Sequence, residues 1–242
     1  LFVMGSEGRG EQLLKTDQDN GLVLRDGYQP PPELAEICNR FSAALREFGY
    51  PDCPGNIMVS NPVWRRSASD FAQMTRQWLV MPTPESLMSL AIFVDAHAVA
   101  GDANLLESVR RGVFALVIDN DAMLARFASA INSFQESGGW WNRLLLRSDQ
   151  AEEVLDLKKA GIFPLVHGVR SLALEMRLSQ TSTTARIEGL GAAGKLTPEM
   201  GADLVESLHF FMGLKLRAGL TEMAARRPVS GGIEMSRLNS LD

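Results

Sequence analysis

The sequence predicts an α+β protein in which a small mixed sheet is followed by an all-helical bundle. Up to about residue 65, short apolar runs of strand length alternate with helical spacing. Beyond that point the apolar residues recur with helical spacing alone. The chain has 242 residues, 45% hydrophobic and 22% charged, a composition typical of globular proteins.

In the first part, apolar runs bounded by turn residues predict strands at 1–4, 16–24 and 56–60. A glycine-rich turn leads into a short helix at 5–14, and an amphipathic helix is predicted at 33–48. The apolar face of the second helix comprises Leu34, Ile37, Phe41 and Leu45. Because the chain opens in the middle of an apolar run, we expect an upstream segment, so that this sheet is N-terminally truncated.

In the second part, no run of strand character is evident from residue 102 onward. Pro164 suits the first turn of a helix, and Thr197 followed by Pro198 is a typical helix start. The predicted helices span 67–79, 84–100, 102–118, 121–135, 137–147, 164–176 and 198–216. The change of character predicts two domains, 1–80 and 81–242.

Composition limits the classes of partner. The net charge of −5 and the pI of about 5.3 weigh against a nucleic-acid partner, because phosphate contacts need clustered lysine and arginine. The most apolar segment, 87–101, is interrupted by Asp95 and His97 and is too short to cross a membrane. Cys38 and Cys53 make no disulfide framework and favour a reducing compartment. We therefore expect a cytoplasmic protein without nucleic-acid or membrane partners.

The segment 4–24, MGSEGRGEQLLKTDQDNGLVL, places Asp17 and Asp19 at the start of an apolar strand. Residues i and i+2 of a strand point to the same face, about 7 Å apart along the chain. Mg²⁺ is usually bound by one or two carboxylates together with phosphates of the substrate. The pair therefore predicts a site for Mg²⁺.

The turn before these carboxylates is suited to phosphate. Gly5 and Ser6 lie where the first strand passes into a helix, and backbone N–H groups at such a place attract phosphate. Glycine lets the backbone approach closely, and the Ser6 hydroxyl can donate a hydrogen bond. Arg9, about one helical turn later, can bind phosphate oxygens. Turn and carboxylates together predict a cradle for a nucleoside triphosphate and its metal ions.

Other interpretations of this segment fit less well. GSEGRG is not the dinucleotide fingerprint, and no Gly-Lys-Ser/Thr of a P-loop follows it. The calcium-loop pattern fails at Gly21 and Tyr28, where ligands would be needed. The structural alternative is an N-capped turn followed by a solvated strand end.

Gly5-Ser6 and the pair Asp17-x-Asp19, which begins eleven residues after Ser6, resemble the nucleotidyltransferase signature of the DNA polymerase β superfamily. The longer run GSEGRGEQLLKTDQDN resembles more specifically a bacterial nucleotidyltransferase family related to PII uridylyltransferase. Further similar stretches lie at 53–65, 93–102, 155–174 and 183–190. The likeness therefore covers nearly the whole chain.

The resemblance implies a small mixed-sheet nucleotidyltransferase domain beside a helical substrate-binding domain. It implies transfer of a nucleoside monophosphate from an NTP to a protein or small signalling acceptor, with release of pyrophosphate. Gly5 and Ser6 would hold the β- and γ-phosphates, and Asp17 and Asp19 would bind Mg²⁺. Because the family often follows cyclic-nucleotide-binding or CBS modules, such regulatory domains are expected upstream.

A third carboxylate is usual in the superfamily, on a later strand, but the predicted strand 56–60 contains none. Asp52 precedes that strand, and Cys53 stands at the usual position. Asp95, set among apolar residues, is the other candidate for the third acid, and its alternative is a carboxylate paired with a buried arginine or histidine. Without a third acid, we expect a nucleotide-sensing regulatory module with poor turnover.

Basic residues of the second half are candidates to line a cleft for anions between the two halves. They are Lys158, Arg170 and Arg186. For each, the alternative is a solvated or ion-paired surface role.

A third possibility is a nucleotidyltransferase that acts on a small molecule of the antibiotic type. Such an enzyme would use the same chemistry and would differ in the helical pocket.

Overall fold

A computed structural model describes residues 1–14, 16–117, 120–136, 154–157, 161–227, 229 and 232–234. In this part of the chain a mixed four-stranded sheet with helices forms the N-terminal region, and a largely helical region follows. The predicted α+β class is confirmed. The helix predicted at 137–147 and the candidate Lys158 lie outside the described residues.

The sheet has the strand order β3-β2-β1-β4. Its strands are β1 Phe2–Val3, β2 Asn20–Leu24, β3 Arg65–Ser67 and β4 His97–Ala98. β1 pairs antiparallel with both β2 and β4, whereas β2 pairs parallel with β3. Phe2 stands opposite Gly21, where a Cβ would lie 2.4 Å from the Phe2 ring, so glycine leaves room for that ring.

The described α-helices are α1 Gly5–Gly8, α2 Leu34–Glu47, α3 Ala68–Val80, α4 Pro84–Phe93, α5 Ala103–Val117, α6 Asp121–Glu136, α7 Phe163–Glu175, α8 Thr183–Ala192 and α9 Pro198–Ala224. Several begin at a residue whose hydroxyl accepts a backbone N–H of the first turn: Ser67, Thr83, Ser182 and Thr197. The helix start predicted at Thr197 is therefore confirmed. Within the described part of the chain, no helix is long and apolar enough to cross a membrane.

An aromatic group joins the sheet to the helices. The Phe2 ring packs edge-on against the rings of Phe71 and Phe93, with centroid separations of 5.8 and 6.1 Å. Phe71 and Phe93 stack on each other at 5.9 Å. Burial of each such ring stabilises the fold by about 1.5–3 kcal/mol. The same apolar core continues through α5 to α6, and a second cluster around Ile187 and Leu190 packs α7 against α8.

Two predicted elements of the first part differ from the structure. Residues 56–60 form no strand, because Asn56 has a φ of 53° and the Val59 N–H is taken by the Asn20 side chain at 2.8 Å. The strand that pairs in parallel with β2 is β3 instead. The predicted buried face of α2 is largely exposed, with Ile37 53% exposed. Cys38 and Ser42 are the buried residues of that helix.

Later elements differ as well. The helix predicted at 84–100 ends at Phe93, and His97 and Ala98 form β4. An apolar run of that length suits either a helix or a strand, and pairing with β1 decides in favour of the strand at its end. β5 Val154–Asp156 pairs antiparallel with β6 Gly232–Glu234, although the sequence predicts no strand after residue 102.

Candidate active site

One cleft of about 150 Å³ brings together most of the predicted site residues. Its wall includes Gly5, Ser6, Arg9, Asp17 and Asp19. Asp95 also lines it, whereas Asp52 is not among its lining residues. The turn and the two carboxylates thus face one space, as the strand-and-turn pattern predicts.

Gly5 and Asp19 lie in direct contact at this cleft. Gly5 has a φ of +58°, and a Cβ built on it would lie 2.7 Å from the Asp19 Oδ2. The Met4 N–H, one residue earlier, donates to the Asp19 carbonyl oxygen at 2.8 Å. Only glycine fits here without displacing the Asp19 carboxylate. The predicted helix 5–14 is shorter in the structure and ends at Gly8.

Gln18 shows why the carboxylates on either side of it face the cleft. Its side chain is 1% exposed and donates to the carbonyl oxygens of Ser42 and Tyr50, each at 3.0 Å. The Gln18 side chain is thus anchored in the interior, while Asp17 and Asp19 line the cleft. This alternation is that of an extended chain, although the strand itself begins at Asn20.

Cys53 also contacts Asp19. The thiol is buried and hydrogen-bonded to the Asp19 side chain. Burial, and secondarily the Asp19 charge, raises the pKa of the Cys53 thiol far above its usual range. At neutral pH the thiol therefore stays protonated and serves as a hydrogen-bond donor to Asp19.

Asp95 is surrounded by three arginines that come from separate elements. Its Oδ2 accepts hydrogen bonds from Arg9 Nη1 and Arg170 Nη2, both at 2.6 Å. Its Oδ1 accepts from Arg186 Nη1 at 2.7 Å and from Arg170 Nε at 3.1 Å. We call Asp95, Arg9, Arg170 and Arg186 the Asp95 cluster. It joins the residue that follows α1 to α7 and α8, and its carboxylate is fully buried.

Electrostatics keep the Asp95 cluster charged. Burial alone would raise the pKa of Asp95, but the positive charges of Arg170, Arg186 and Arg9 hold it well below its usual range. Burial alone would lower the pKa of Arg9. Together the Asp95 and Glu11 carboxylates have the larger effect and raise the pKa of Arg9 above its usual value. Burial lowers the pKa of Arg186, an effect that Asp95 partly offsets.

Glu11 continues these contacts toward α8. Its Oε2 accepts a hydrogen bond from Arg9 Nε at 2.6 Å, and its Oε1 accepts one from the Thr183 N–H at 2.6 Å. Thr183 is the first residue of α8, so the carboxylate also lies at the positive end of that helix. The segment after the turn is therefore fixed to the helical region through both oxygens of one side chain.

Both candidates for a third acid are bonded to arginine. Asp52 accepts from Arg46 Nη2 at 2.5 Å and from Gln18 Nε2 at 3.3 Å. Both oxygens of Asp95 are occupied by the arginines of its cluster, which matches the alternative of a paired buried carboxylate. Among the described residues, no group of three or more His, Cys, Asp and Glu side chains is arranged to hold a metal ion.

Basic and apolar residues of the second part of the chain also line the cleft. Arg170 lines the cleft, as one of the proposed alternatives requires, whereas Arg186 is buried and is not among the lining residues. Lys215 of α9 also lines the cleft and was not predicted. Apolar residues of the second part also line the cleft and are called its apolar wall: Met88, Ile92, Ile162, Phe163, Val166 and Met212. These residues reach the cleft because helices that are distant in the sequence pack together. A local sequence pattern carries no information about that packing.

Comparison with known proteins finds two family models that match different parts of the chain. Residues 1–85 match the family model described as "Putative nucleotidyltransferase DUF294". Residues 121–242 match the model described as "Putative nucleotidyltransferase substrate binding domain". Among curated proteins, none matches the chain. The second model alone covers half of the chain, and the chain therefore belongs to this nucleotidyltransferase family.

Proposed function

We propose that the chain transfers a nucleoside monophosphate from an NTP to an acceptor, and that Asp17, Asp19, Gly5 and Ser6 form the reaction site. The observation that supports this most directly is the meeting of both carboxylates and the Gly5-Ser6 turn at one cleft. The acceptor oxygen bonds to the α-phosphorus and gives up its proton to solvent. The bond from that phosphorus to the oxygen bridging the α- and β-phosphates breaks, and pyrophosphate leaves with that oxygen.

Mg²⁺ fits the donor set of this cleft. Two carboxylates, Asp17 and Asp19, line this cleft, and Mg²⁺ is usually held by one or two carboxylates together with substrate phosphates. A protein cluster of three ligands is therefore not required. When bound, Mg²⁺ would neutralise phosphate charge and orient the triphosphate.

The chain's own residues serve mainly to position the nucleotide. Gly5 lets the backbone approach a phosphate closely, and the Ser6 hydroxyl can donate a hydrogen bond to it. Asp17 and Asp19 would hold the metal ion, with Asp19 oriented by the Cys53 thiol. Positioning of this kind can supply much of the rate enhancement in phosphoryl and nucleotidyl transfer.

The finer assignments rest on the resemblance described above. We propose a uridylyltransferase-like enzyme with a protein or small signalling acceptor, acting in signal transduction in the cytoplasm. We also propose that regulatory modules of the cyclic-nucleotide-binding or CBS type precede the chain, and that the catalytic unit spans 1–80. The apolar wall of the cleft leaves room for a base or for an apolar part of the acceptor.

A binding measurement tests this function. A non-hydrolysable NTP is titrated into the protein with and without Mg²⁺, using the wild type, Asp17→Asn and Asp19→Asn. We expect Mg²⁺-dependent binding that each variant weakens at least about tenfold, because each removes a charged ligand of the ion. Equal binding by the wild type and both variants would exclude these carboxylates from the site.

A second candidate function is nucleotide sensing with little turnover. The observation in its favour is that Asp52 and Asp95, the candidate third acids, are both paired with arginine. Incubation of the protein with α-labelled NTP and a cell extract distinguishes the two functions. A labelled acceptor that fails to form with Asp17→Asn identifies a transferase, whereas saturable binding without any labelled acceptor identifies a sensor.

A further inference from the structure

We propose that the helical region supplies half of the nucleotide's phosphate site, through Arg170 and Lys215 acting together with Arg9. The ligand is a pyrophosphate group, either the tail of the NTP or the free product. This inference rests on the proposed function and adds a subsite to it. Its starting observation is that all three cations line the cleft that contains Gly5 and Asp19.

Asp95 holds two of these cations side by side. A single oxygen, Asp95 Oδ2, accepts from both Arg9 Nη1 and Arg170 Nη2 at 2.6 Å. The two guanidinium groups therefore lie next to each other although Arg9 follows α1 and Arg170 belongs to α7. Planar guanidinium forks placed in this way suit phosphate, which accepts paired N–H donors. We assign Asp95 as a positioning residue for this subsite, because it reaches phosphate only through the arginines.

The net charge of the Asp95 cluster together with Glu11 favours binding of an anion. Arg9, Arg170 and Arg186 bring three positive charges, and Asp95 and Glu11 bring two negative ones. Around Asp95 one positive charge is thus left over, where the carboxylate is fully buried and the guanidinium groups are at most 10% exposed. The Asp17 and Asp19 carboxylates of the same cleft would be neutralised by Mg²⁺ when it is bound. Charges interact more strongly there than in water, so a bound phosphate would be favourable.

Lys215 adds a further cation to the lining of the cleft. It lies on α9, four residues before Gly219, and residues four apart share a helix face. A Cβ at Gly219 would lie 2.3 Å from Leu14 Cδ1, so this face of α9 packs closely on the segment after the turn. The close contact brings Lys215 to the cleft that Asp17 and Asp19 also line. Cations and carboxylates then face a triphosphate and its metal together.

Isothermal titration with Mg²⁺ present tests the subsite on Lys215→Ala, Lys215→Arg and a matched control, Lys195→Ala. Lys195 is an exposed lysine paired with Glu175 and lies outside the cleft. The ligands are pyrophosphate, a non-hydrolysable NTP and the corresponding nucleoside monophosphate. We expect Lys215→Ala to raise the Kd of pyrophosphate and NTP about tenfold or more, because a charged hydrogen bond is lost.

The same substitution should change the Kd of the monophosphate less than about threefold, since the subsite holds the distal phosphates. Lys215→Arg should restore most of the affinity, and Lys195→Ala should leave it unchanged. Equal weakening of all three ligands, or none, overturns the subsite while NTP binding still supports the proposed function. Lys215-dependent binding of pyrophosphate without binding of nucleotide supports the subsite and contradicts the proposed function. No binding of any ligand by the wild type overturns both.

Discussion

The Asp95 carboxylate lies 2.7 Å from the Arg186 guanidinium, and these two side chains are 0% and 1% exposed. Arg186 also donates to the carbonyl oxygens of Val94 and Gln180, at 3.1 and 2.8 Å. The segment between α4 and β4 is thereby fixed to α8, which lies about ninety residues later in the chain. A buried ion pair of this kind links the sheet region and the helical region in a single arrangement.

Removal of the central carboxylate should strongly destabilise the protein. Asp95→Ala leaves three buried guanidinium groups without their shared acceptor, and breaking a buried pair in this way costs about 3–5 kcal/mol. Urea denaturation followed by circular dichroism measures the change in the free energy of unfolding. Glu36→Ala is the control, because it breaks an exposed pair with Arg40 that is worth about 0.5 kcal/mol or less. A loss for Asp95→Ala as small as that of the control would contradict this account.

Gly5 should be required for the position of Asp19 and not only for the shape of the turn. Gly5→Ala strains a backbone at φ +58° and drives a Cβ to 2.7 Å from the Asp19 Oδ2. Gly10 is a matched control, because its φ is +68° but a Cβ there meets nothing within 4 Å. Each alanine should cost about 1–2 kcal/mol of stability from the left-handed backbone.

Only Gly5→Ala should in addition weaken Mg²⁺-dependent binding of a non-hydrolysable NTP, by about tenfold or more, because it displaces a proposed metal ligand. Thermal unfolding gives the first quantity and titration calorimetry gives the second. If both variants lose the same affinity, the contact between Gly5 and Asp19 has no separate role in binding.

The cleft illustrates how far a sequence predicts a site. The pairing of the Gly5-Ser6 turn with Asp17 and Asp19 depends on contacts within twenty residues, and the pattern of glycine, strand and carboxylates predicts it. The role of Asp95 depends on Arg170 and Arg186, which follow it by 75 and 91 residues. No local pattern contains such a distance, so the sequence leaves the third acid and the paired carboxylate as equal alternatives.

Secondary structure shows the same limit. The helix at 163–175 and the start at Thr197 follow from local preferences of proline and threonine, and both are found. β4 has two residues and exists through its pairing with β1. The helix α2 is amphipathic, yet Ile37 of its apolar face is exposed. Periodicity predicts an apolar face but not which part of the protein covers it.

Cys53→Asp tests whether the thiol stands at the position of a third metal-binding carboxylate. The side chain is 4% exposed and contacts Asp19, so a second carboxylate there should repel the first and lower the melting temperature in the absence of metal. Mg²⁺ should then raise the melting temperature of Cys53→Asp more than that of the wild type, because binding to the native state adds stability. Cys53→Ser, which keeps a donor to Asp19, is the control and should respond to Mg²⁺ like the wild type. An equal response in all three proteins would place Cys53 outside metal reach.

His167 should make the protein less stable in mild acid. Its ring is 1% exposed and packs against Phe127 and Phe163, at centroid distances of 5.1 and 5.8 Å. Nε2 lies 2.9 Å from the Phe127 carbonyl oxygen, and Nδ1 lies 3.4 Å from Arg170 Nη1. The neutral ring therefore donates through Nε2 and presents Nδ1 to a cation. Burial, and then the Arg170 charge, lowers the pKa of His167 from 6.5 to about 4.

Between these two values the unfolded chain binds a proton at His167 that the native protein does not bind. The stability contribution is therefore fully present above pH 6.5 and falls as the pH drops toward 4, by a total of about 3 kcal/mol. Asp95 contributes little to the change in stability between pH 6.5 and pH 4. Its pKa lies below this range in the unfolded chain and lower still in the native protein. Urea denaturation of the wild type and His167→Gln at intervals from pH 7 to pH 4 measures the effect. The wild type should lose more stability than the variant across this range, and parallel pH profiles would show that His167 is protonated without cost in the native protein.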